Sequence, residues 1–227
     1  MGSYVLSDIH GMRRQFNDIL DQIGFSDGDM LYVLGDVADR GPDGVAVLEQ
    51  IMDMKNAILL QGNHENMWRS SYTDPCRNKW RKLWMQNGGG PTLEAFEKLD
   101  GDRQERILDY LSGRPDHMII TVGDKQFALV HAYWGYDGQD KLWRRPSAWM
   151  PMQGPVFNGS IIVGHTPVFL LQPDPANYLA KCKDHVSIFH GQHFTDIDCG
   201  AGVTGRAYRK CCLGCMRLDD GAEFYAL

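Results

Sequence analysis

The sequence predicts an α/β fold built from two sheets with helices outside them. Three observations carry this. Short apolar runs alternate with helical spacing in the first part of the chain. The second half is mostly short strands. Glycine is abundant, 25 of 227 residues, as many tight turns require. Apolar residues at 43% and charged residues at 23% are ordinary globular usage, which excludes disordered and fibrous classes. The length is ample for a hydrophobic core. One domain over residues 1–227 is expected, with no repeat, low-complexity tract or flexible linker.

The elements follow in order. Tyr4-Val5-Leu6 is a β-prone run that stops at Ser7-Asp8. Met12, Phe16, Ile19, Leu20 and Ile23 recur at helical spacing until Gly24. Met30 to Leu34 is a second strand, ended by Gly35-Asp36. Pro42 sits where a first helical turn tolerates it, and Val45, Leu48, Ile51 and Met52 give that helix a buried face. Ala57 to Leu60 is a third strand, ended by Gly62-Asn63. Strand–loop–helix repeated in this way implies βαβ units and a largely parallel sheet. Residues 65–112 carry helical patterns with Trp68, Trp80, Trp84, Phe96 and Leu111, broken in two at Asn87-Gly88-Gly89-Gly90-Pro91, and read as a helical insertion. Met118 to Val122 and Phe127 to Val130 flank a turn and predict a hairpin. Ile161 to Val163, Phe194 to Cys199 and Ala207 to Leu218 complete the strands, before a turn at Asp219-Asp220-Gly221.

Charge and motif absences narrow the function. A net charge of −6 argues against bulk binding to nucleic acid or anionic lipid. No apolar run approaches the roughly 18 residues that a membrane span needs. The first residues show no basic, apolar leader pattern. Six cysteines are too few for a disulfide scaffold, so reduced thiols and a cytoplasmic location are expected.

Five strand ends carry the chemistry. They read Ser7-Asp8-Ile9-His10-Gly11, Gly35-Asp36-Val37-Ala38-Asp39-Arg40-Gly41, Gly62-Asn63-His64-Glu65, Val130-His131-Ala132 and Val163-Gly164-His165-Thr166-Pro167. Ligands bind at the carboxyl ends of strands in open α/β sheets. Any one of these loops is a weak signal, and a lone histidine is more often a core residue than a ligand. Five in order are a strong one. Together Asp8, His10, Asp36, Asn63, His131 and His165 supply carboxylate, imidazole and amide oxygen, a donor set for borderline divalent metals such as Mn²⁺, Fe²⁺, Ni²⁺ or Zn²⁺. No cysteine is among them, unlike a structural zinc site.

These loops resemble the signature of the calcineurin-like metallophosphoesterases, and within them the phosphoprotein phosphatase branch, over residues 5–166. Asp198-Cys199-Gly200-Ala201 and Leu218-Asp219-Asp220-Gly221 resemble the closing strands. Ser7 stands where the pattern has glycine, a position that gives no side chain to the metal. The resemblance implies a four-layer α/β/β/α sandwich, two mixed sheets flanked by helices, and two divalent metal ions, manganese first among the candidates. By motif position Asp8 and His10 hold the first metal, Asp36 bridges both, and Asn63, His131 and His165 hold the second. The pair activates a hydroxide for in-line attack on phosphorus. His64 matches the general acid, Asp39 its orienting partner, and Arg40 a phosphate clamp. A second arginine is expected between the late histidines. In Leu142-Trp143-Arg144-Arg145-Pro146 the family spacing favours Arg145 over Arg144.

Two groups stay open on sequence alone. Cys182, His185, His190, His193, Cys199, Cys211, Cys212 and Cys215 allow a further zinc, but 211–218 also fits a strand with thiols as small core residues. The histidine stretch is alternatively placed at the mouth of the active site. Trp80 and Trp84 share a helical face and are read as core before nucleobase platform. The leading function is a serine/threonine protein phosphatase acting on phosphorylated protein or peptide. The alternative is symmetrical hydrolysis of dinucleoside polyphosphates, a branch that more often has Asp where this chain has Glu65. A non-enzymatic module of the same fold is disfavoured, because every ligand position is filled.

Overall fold

The computed structural model describes residues 1–227. The first sheet contains β1 (Ser3–Leu6), β2 (Met30–Val33) and β3 (Ala57–Leu59), joined by α1 (Arg13–Ile23) and α2 (Gly44–Asp53). Four helices follow: α3 (Asn63–Thr73), α4 (Arg77–Gln86), α5 (Gly90–Phe96) and α6 (Gly101–Ser112). The second sheet contains β4 (His117–Val122), β5 (Lys125–Val130), β6 (Ser160–Val163), β7 (Phe189–His190) and β8 (Thr195–Asp196). Two helices lie within this half, α7 (Gly138–Trp143) and α8 (Pro175–Lys181). The chain returns to the first sheet with β9 (Leu213–Arg217) and β10 (Glu223–Ala226).

Both sheets have five strands and both are mixed. The first runs β10-β9-β1-β2-β3, with β1, β2 and β3 parallel and β9 antiparallel to both its neighbours, β1 and β10. The second runs β4-β5-β6-β8-β7, with β5, β6 and β8 parallel. Alternation along each strand divides the core. Tyr4 and Leu6 face the helical layer of α1 to α6, where they meet Phe16, Leu48, Trp68 and Trp84. Val5 faces the opposite way, into the layer between the sheets, with Leu129, Ile162 and Met216. Ala128, Val130 and Val163 point outward from the second sheet and are covered by Trp134 and Leu171, with Met152 and Phe157 packed against them. The parallel strands of the two sheets therefore end along one common edge.

Several boundaries differ from the sequence expectation. The helical stretch divides into four, not two, and Pro91 lies in the first turn of α5 instead of in the break. The break is Asn87 to Gly89, where Gly88 takes a φ of 96°. The strand expected at Ala207 to Leu218 is shorter. A 3-10 turn at Arg206–Tyr208 precedes it, and Cys211 N–H is bonded back to Tyr208. In Phe194 to Cys199 only Thr195–Asp196 pairs as strand. The short elements α7, α8, β7 and β10 were not anticipated; none is longer than seven residues.

Candidate metal centre and active site

Each parallel strand of the first sheet ends in a turn that carries polar side chains to the same point. Asp8 and His10 follow β1, Asp36 follows β2, and Asn63 opens α3 after β3. From the second sheet His131 follows β5 and His165 follows β6. Six non-glycine residues have positive φ: Asp8 (56°), His10 (48°), Asp36 (54°), Asp39 (73°), Arg40 (63°) and His165 (67°). All six belong to the candidate site. A left-handed backbone costs a non-glycine residue roughly 1–2 kcal/mol, and such strain persists only where the surroundings fix it.

The fixing is visible. Asp8 N–H donates to Gly35 O (3.1 Å), His10 N–H to Asp36 O (2.9 Å) and Gly11 N–H to Val37 O (2.7 Å), so the β1 and β2 turns are laced together. Gly35 has a φ of 108°, and a Cβ there would stand 2.6 Å from the Cα of Gly62. Glu65 is wholly buried on the first turn of α3. Its Oε2 accepts from Asp36 N–H (2.7 Å) and Gly62 N–H (3.1 Å), and its Oε1 from Val37 N–H (2.9 Å). Burial and the Asp36 charge push this carboxyl up to about 7 despite those bonds. Asp8 is held by Oδ2, which accepts from Ser7 Oγ–H (2.6 Å) and His165 N–H (2.8 Å).

The donor atoms gather in two groups that share Asp36: His10, Asp36 and His64, with Asp8 next to them, and Asp36, His131 and His165. On one side His10 Nε2 lies 3.8 Å from both Asp8 Oδ1 and Asp36 Oδ2. On the other, His131 Nε2 lies 2.9 Å from Asn63 Oδ1 and 3.4 Å from Asp36 Oδ1, and His165 Nδ1 lies 3.0 Å from Asn63 Oδ1. His10 Nδ1 faces Ala38 O and His131 Nδ1 faces Leu34 O. A proton on each Nδ1 suits those carbonyls and leaves Nε2 to face other lone pairs.

This is the electrostatics of a cation site. Burial and the Asp36 charge raise the Asp8 carboxyl. Asp196 and Asp198, buried on the same edge, are raised well above the usual carboxylate range by burial and by neighbouring carboxyls. Burial alone would lower His131, yet the carboxylates of Asp36, Asp8 and Glu65 lift it to about 9. The cluster thus draws a proton onto an imidazole that faces only acceptors. A divalent cation shared by Asp36, Asn63, His131 and His165 would meet the same need with better geometry. His165 is pushed down to about 3 by burial and by His131, and His10 well below its ordinary value by burial and Arg40; both are neutral, as ligands must be. Two metals fit this donor set.

His64 sits beside the cluster. Its Nδ1 is 2.6 Å from Asp39 Oδ2, its Nε2 is 3.2 Å from Arg40 Nη2, and Nε2 lies 3.8 Å from Asp36 Oδ2. Burial would lower this imidazole, but Asp36 and Asp39 outweigh it and hold it above its ordinary range. Asp39 is itself anchored. Trp84 Nε1–H donates to its Oδ2 (2.8 Å), and its own N–H donates to Thr92 Oγ1 (2.8 Å). Trp84 is fully buried and stacks on Trp68 at 5.9 Å, so it is core and not a platform for a base. Ser7, Glu65, Trp84 and Thr92 are the positioning residues that sequence reading did not assign. For Glu65 the signal existed: a glutamate in the third position of a helix reaches back to its first backbone N–H groups.

Over the centre opens a cleft of about 410 Å³, lined by Arg40, Asn63, Arg145 and His165 with Trp143, Phe169 and Tyr208. Arg145 faces this cleft. Arg144 is turned elsewhere, 4.2 Å over the Tyr133 ring and bonded to Gln153. The histidines after Lys183 do not reach the cleft. His185 stacks on Tyr225 at 3.9 Å, and His190 lies 2.5 Å from Glu223. Cys199, Cys211, Cys212 and Cys215 are buried, and the donor atoms that gather within metal-binding reach come from the two Asp36 groups.

The calcineurin-like phosphoesterase pattern matches residues 3–193. Symmetrical bis(5'-nucleosyl)-tetraphosphatase of Nitrosomonas europaea is 28% identical over 134 residues, 58% of this chain and 44% of that protein. The chain thus spans less than half the length of such relatives. Serine/threonine-protein phosphatase 2 of Escherichia coli K12 is 28% identical over 216 residues, 89% of both chains. A solved structure provisionally named a diadenosine tetraphosphatase superposes with a TM-score of 0.63 at 17% identity, covering 99% of this chain and 93% of that one. At that identity the likeness is one of fold. No helix is long and apolar enough to cross a membrane.

Proposed function

The chain belongs to the calcineurin-like phosphoesterases, and from that premise we propose that it hydrolyses phosphoserine and phosphothreonine in proteins. The observation that carries the reading is the buried His64–Asp39 pair, 2.6 Å apart, set between a two-metal donor cluster and Arg40. A proton donor on one side of a phosphoryl position and a cation site on the other suit an ester whose leaving group is a poor one, as a serine or threonine alkoxide is.

Asp8, His10 and Asp36 would hold one cation, and Asp36, Asn63, His131 and His165 the other. Bound there, two divalent ions lower the pKa of water toward neutrality and offset charge on the phosphoryl oxygens. Arg40 and Arg145 fork onto those oxygens and fix the ester for in-line displacement. As a water oxygen bonds to phosphorus and the bond to the side-chain oxygen breaks, His64 Nε2 gives its proton to the departing alkoxide. Asp39 keeps the ring oriented and favours its charged form, while Trp84 and Thr92 keep Asp39 in place.

Support for the protein substrate comes from the extent of the likeness. The E. coli phosphatase aligns along 89% of both chains, whereas the tetraphosphatase aligns along 44% of its length. Glu65 also leans this way, since the dinucleoside polyphosphate branch more often has Asp at that position. The second reading, symmetrical dinucleoside polyphosphate hydrolysis, is favoured by the aromatic side of the cleft, where Trp143 and Tyr208 stand. Turnover of a phosphothreonine peptide and of diadenosine tetraphosphate by one manganese-loaded sample separates the two. A kcat/KM at least tenfold higher on the dinucleotide would replace the first reading by the second.

A further inference from the structure

Beside the cleft lies a shallower groove of about 330 Å³. Arg145 and Leu170 line both, so the two spaces are continuous. Pro146, Ala148, Trp149, Leu171 and Pro173 form its apolar walls, interleaved with the uncharged polar Ser147, Thr166 and Gln172. No carboxylate lines it, and Arg145 is its sole charged residue. Trp149 is 76% exposed, unusual for an indole, and Leu170 is 42% exposed. Thr166, also in the wall, is buried with Oγ1 lacking any partner.

We propose that this groove is a subsite for an apolar side chain flanking the phosphorylated residue of a peptide, with Trp149 as its outer wall. The proposal rests on the protein phosphatase reading. A phosphoryl group between Arg40 and Arg145 places the peptide at the shared border of the two spaces. An extended chain advances about 3.3 Å per residue, so a side chain one to three positions away passes Arg145 and enters the groove. There it meets Trp149, Leu170 and Pro173 and shields them from water. An exposed indole beside an anchoring charge is the usual composition of a recognition hot spot. A second nucleoside fits worse. Its phosphates would need cations along the groove, and beyond Arg145 there are none. Its base would find one aromatic face, since no second ring stands across from Trp149.

The test is a set of phosphothreonine peptides in which each of the three residues on either side is in turn Leu, Phe, Gly or Asp. These are assayed with manganese-loaded wild type and Trp149→Ala. The readout is the ratio of kcat/KM for the apolar peptide to that for its glycine counterpart, which is blind to loss of folded or metal-loaded enzyme. At one position the wild-type ratio is expected to be about tenfold, the low end of what burying a leucine-sized side chain gives. In Trp149→Ala it should fall to within twofold of one, and Asp at that position should not replace Leu. Phosphopeptide turnover with no flanking preference, or a preference untouched by Trp149→Ala, overturns the subsite and leaves the phosphatase reading standing. Preferred turnover of diadenosine tetraphosphate, weakened by Trp149→Ala, assigns the groove to a base and overturns both.

Discussion

The strand-end turns of the first sheet and the loops that wall the cleft are built in opposite ways. Asp8, His10, Asp36, Asp39 and Asn63 are buried, their turns are cross-bonded, and four of these five are held in a left-handed backbone. The wall from Tyr136 to Val156 exposes Tyr136, Trp149, Met150 and Val156 and contains one six-residue helix. The difference separates two tasks. A phosphoryl group and its metals tolerate little displacement, so their ligands come from the most constrained backbone in the chain. The part of a substrate beyond the phosphate varies, and it is met by loops whose change leaves the centre intact.

That contrast can be broken at several depths. The largest effect is expected at the residue common to both donor groups. Asp36→Ala should leave neither metal bound and lower phosphatase activity by about 10³-fold or more, since the metals supply several kcal/mol of transition-state stabilisation. Elemental analysis after manganese loading checks it, and a variant that keeps two ions would show that Asp36 does not bridge.

His64→Asn should keep both ions but slow phosphothreonine peptides by about 10²–10⁴-fold. Activated aryl phosphates, whose leaving groups need no proton, should suffer far less. Equal losses on both substrates would remove His64 from the proton-donor role.

Next come the residues that brace the turns without joining the donor set. Glu65→Gln turns an amide N–H either toward Val37 N–H or toward the Asp36 and Gly62 N–H groups, and Ser7→Gly frees Asp8 Oδ2 of one of its two donors. Each should weaken metal binding by about 10–100-fold, read by calorimetric titration. Ser7→Gly should act on the site of Asp8 and His10 alone, whereas Glu65→Gln should affect both.

The smallest effect is at the wall. Arg145→Ala should raise KM for phosphopeptides about tenfold, while its neighbour Arg144→Ala should change it less than twofold. The reverse order would exchange their assignments.

What was legible in the sequence follows the same division. The strand-end motifs could be read because strand, turn and ligand are contiguous: Leu6 to His10 contains all three. The parallel order of β1, β2 and β3 followed from that alternation. The bracing contacts were hidden because they join distant segments. Trp84 meets Asp39 and Thr92 meets Asp39 across 45 and 53 residues, and nothing in a helical spacing distinguishes a tryptophan that donates its N–H from one that merely packs. The short β7 and β10 escaped because two to four residues are too few to show a period. Arg144 and Arg145 could be ordered only by a family's spacing, since adjacent side chains in an irregular loop leave no pattern of their own.

The contact between Arg40 and His64 carries a further meaning. Arg40 Nη2 gives its hydrogen to the one lone pair of the imidazole that a proton would need. The two occupants exclude each other: once charged, that nitrogen would confront a guanidinium at 3.2 Å, cation against cation. An arriving dianion offers Arg40 a better companion and vacates the nitrogen. Arg40 thus opposes the proton that Asp36 and Asp39 draw toward His64, and an ester dianion that engages Arg40 would remove that opposition.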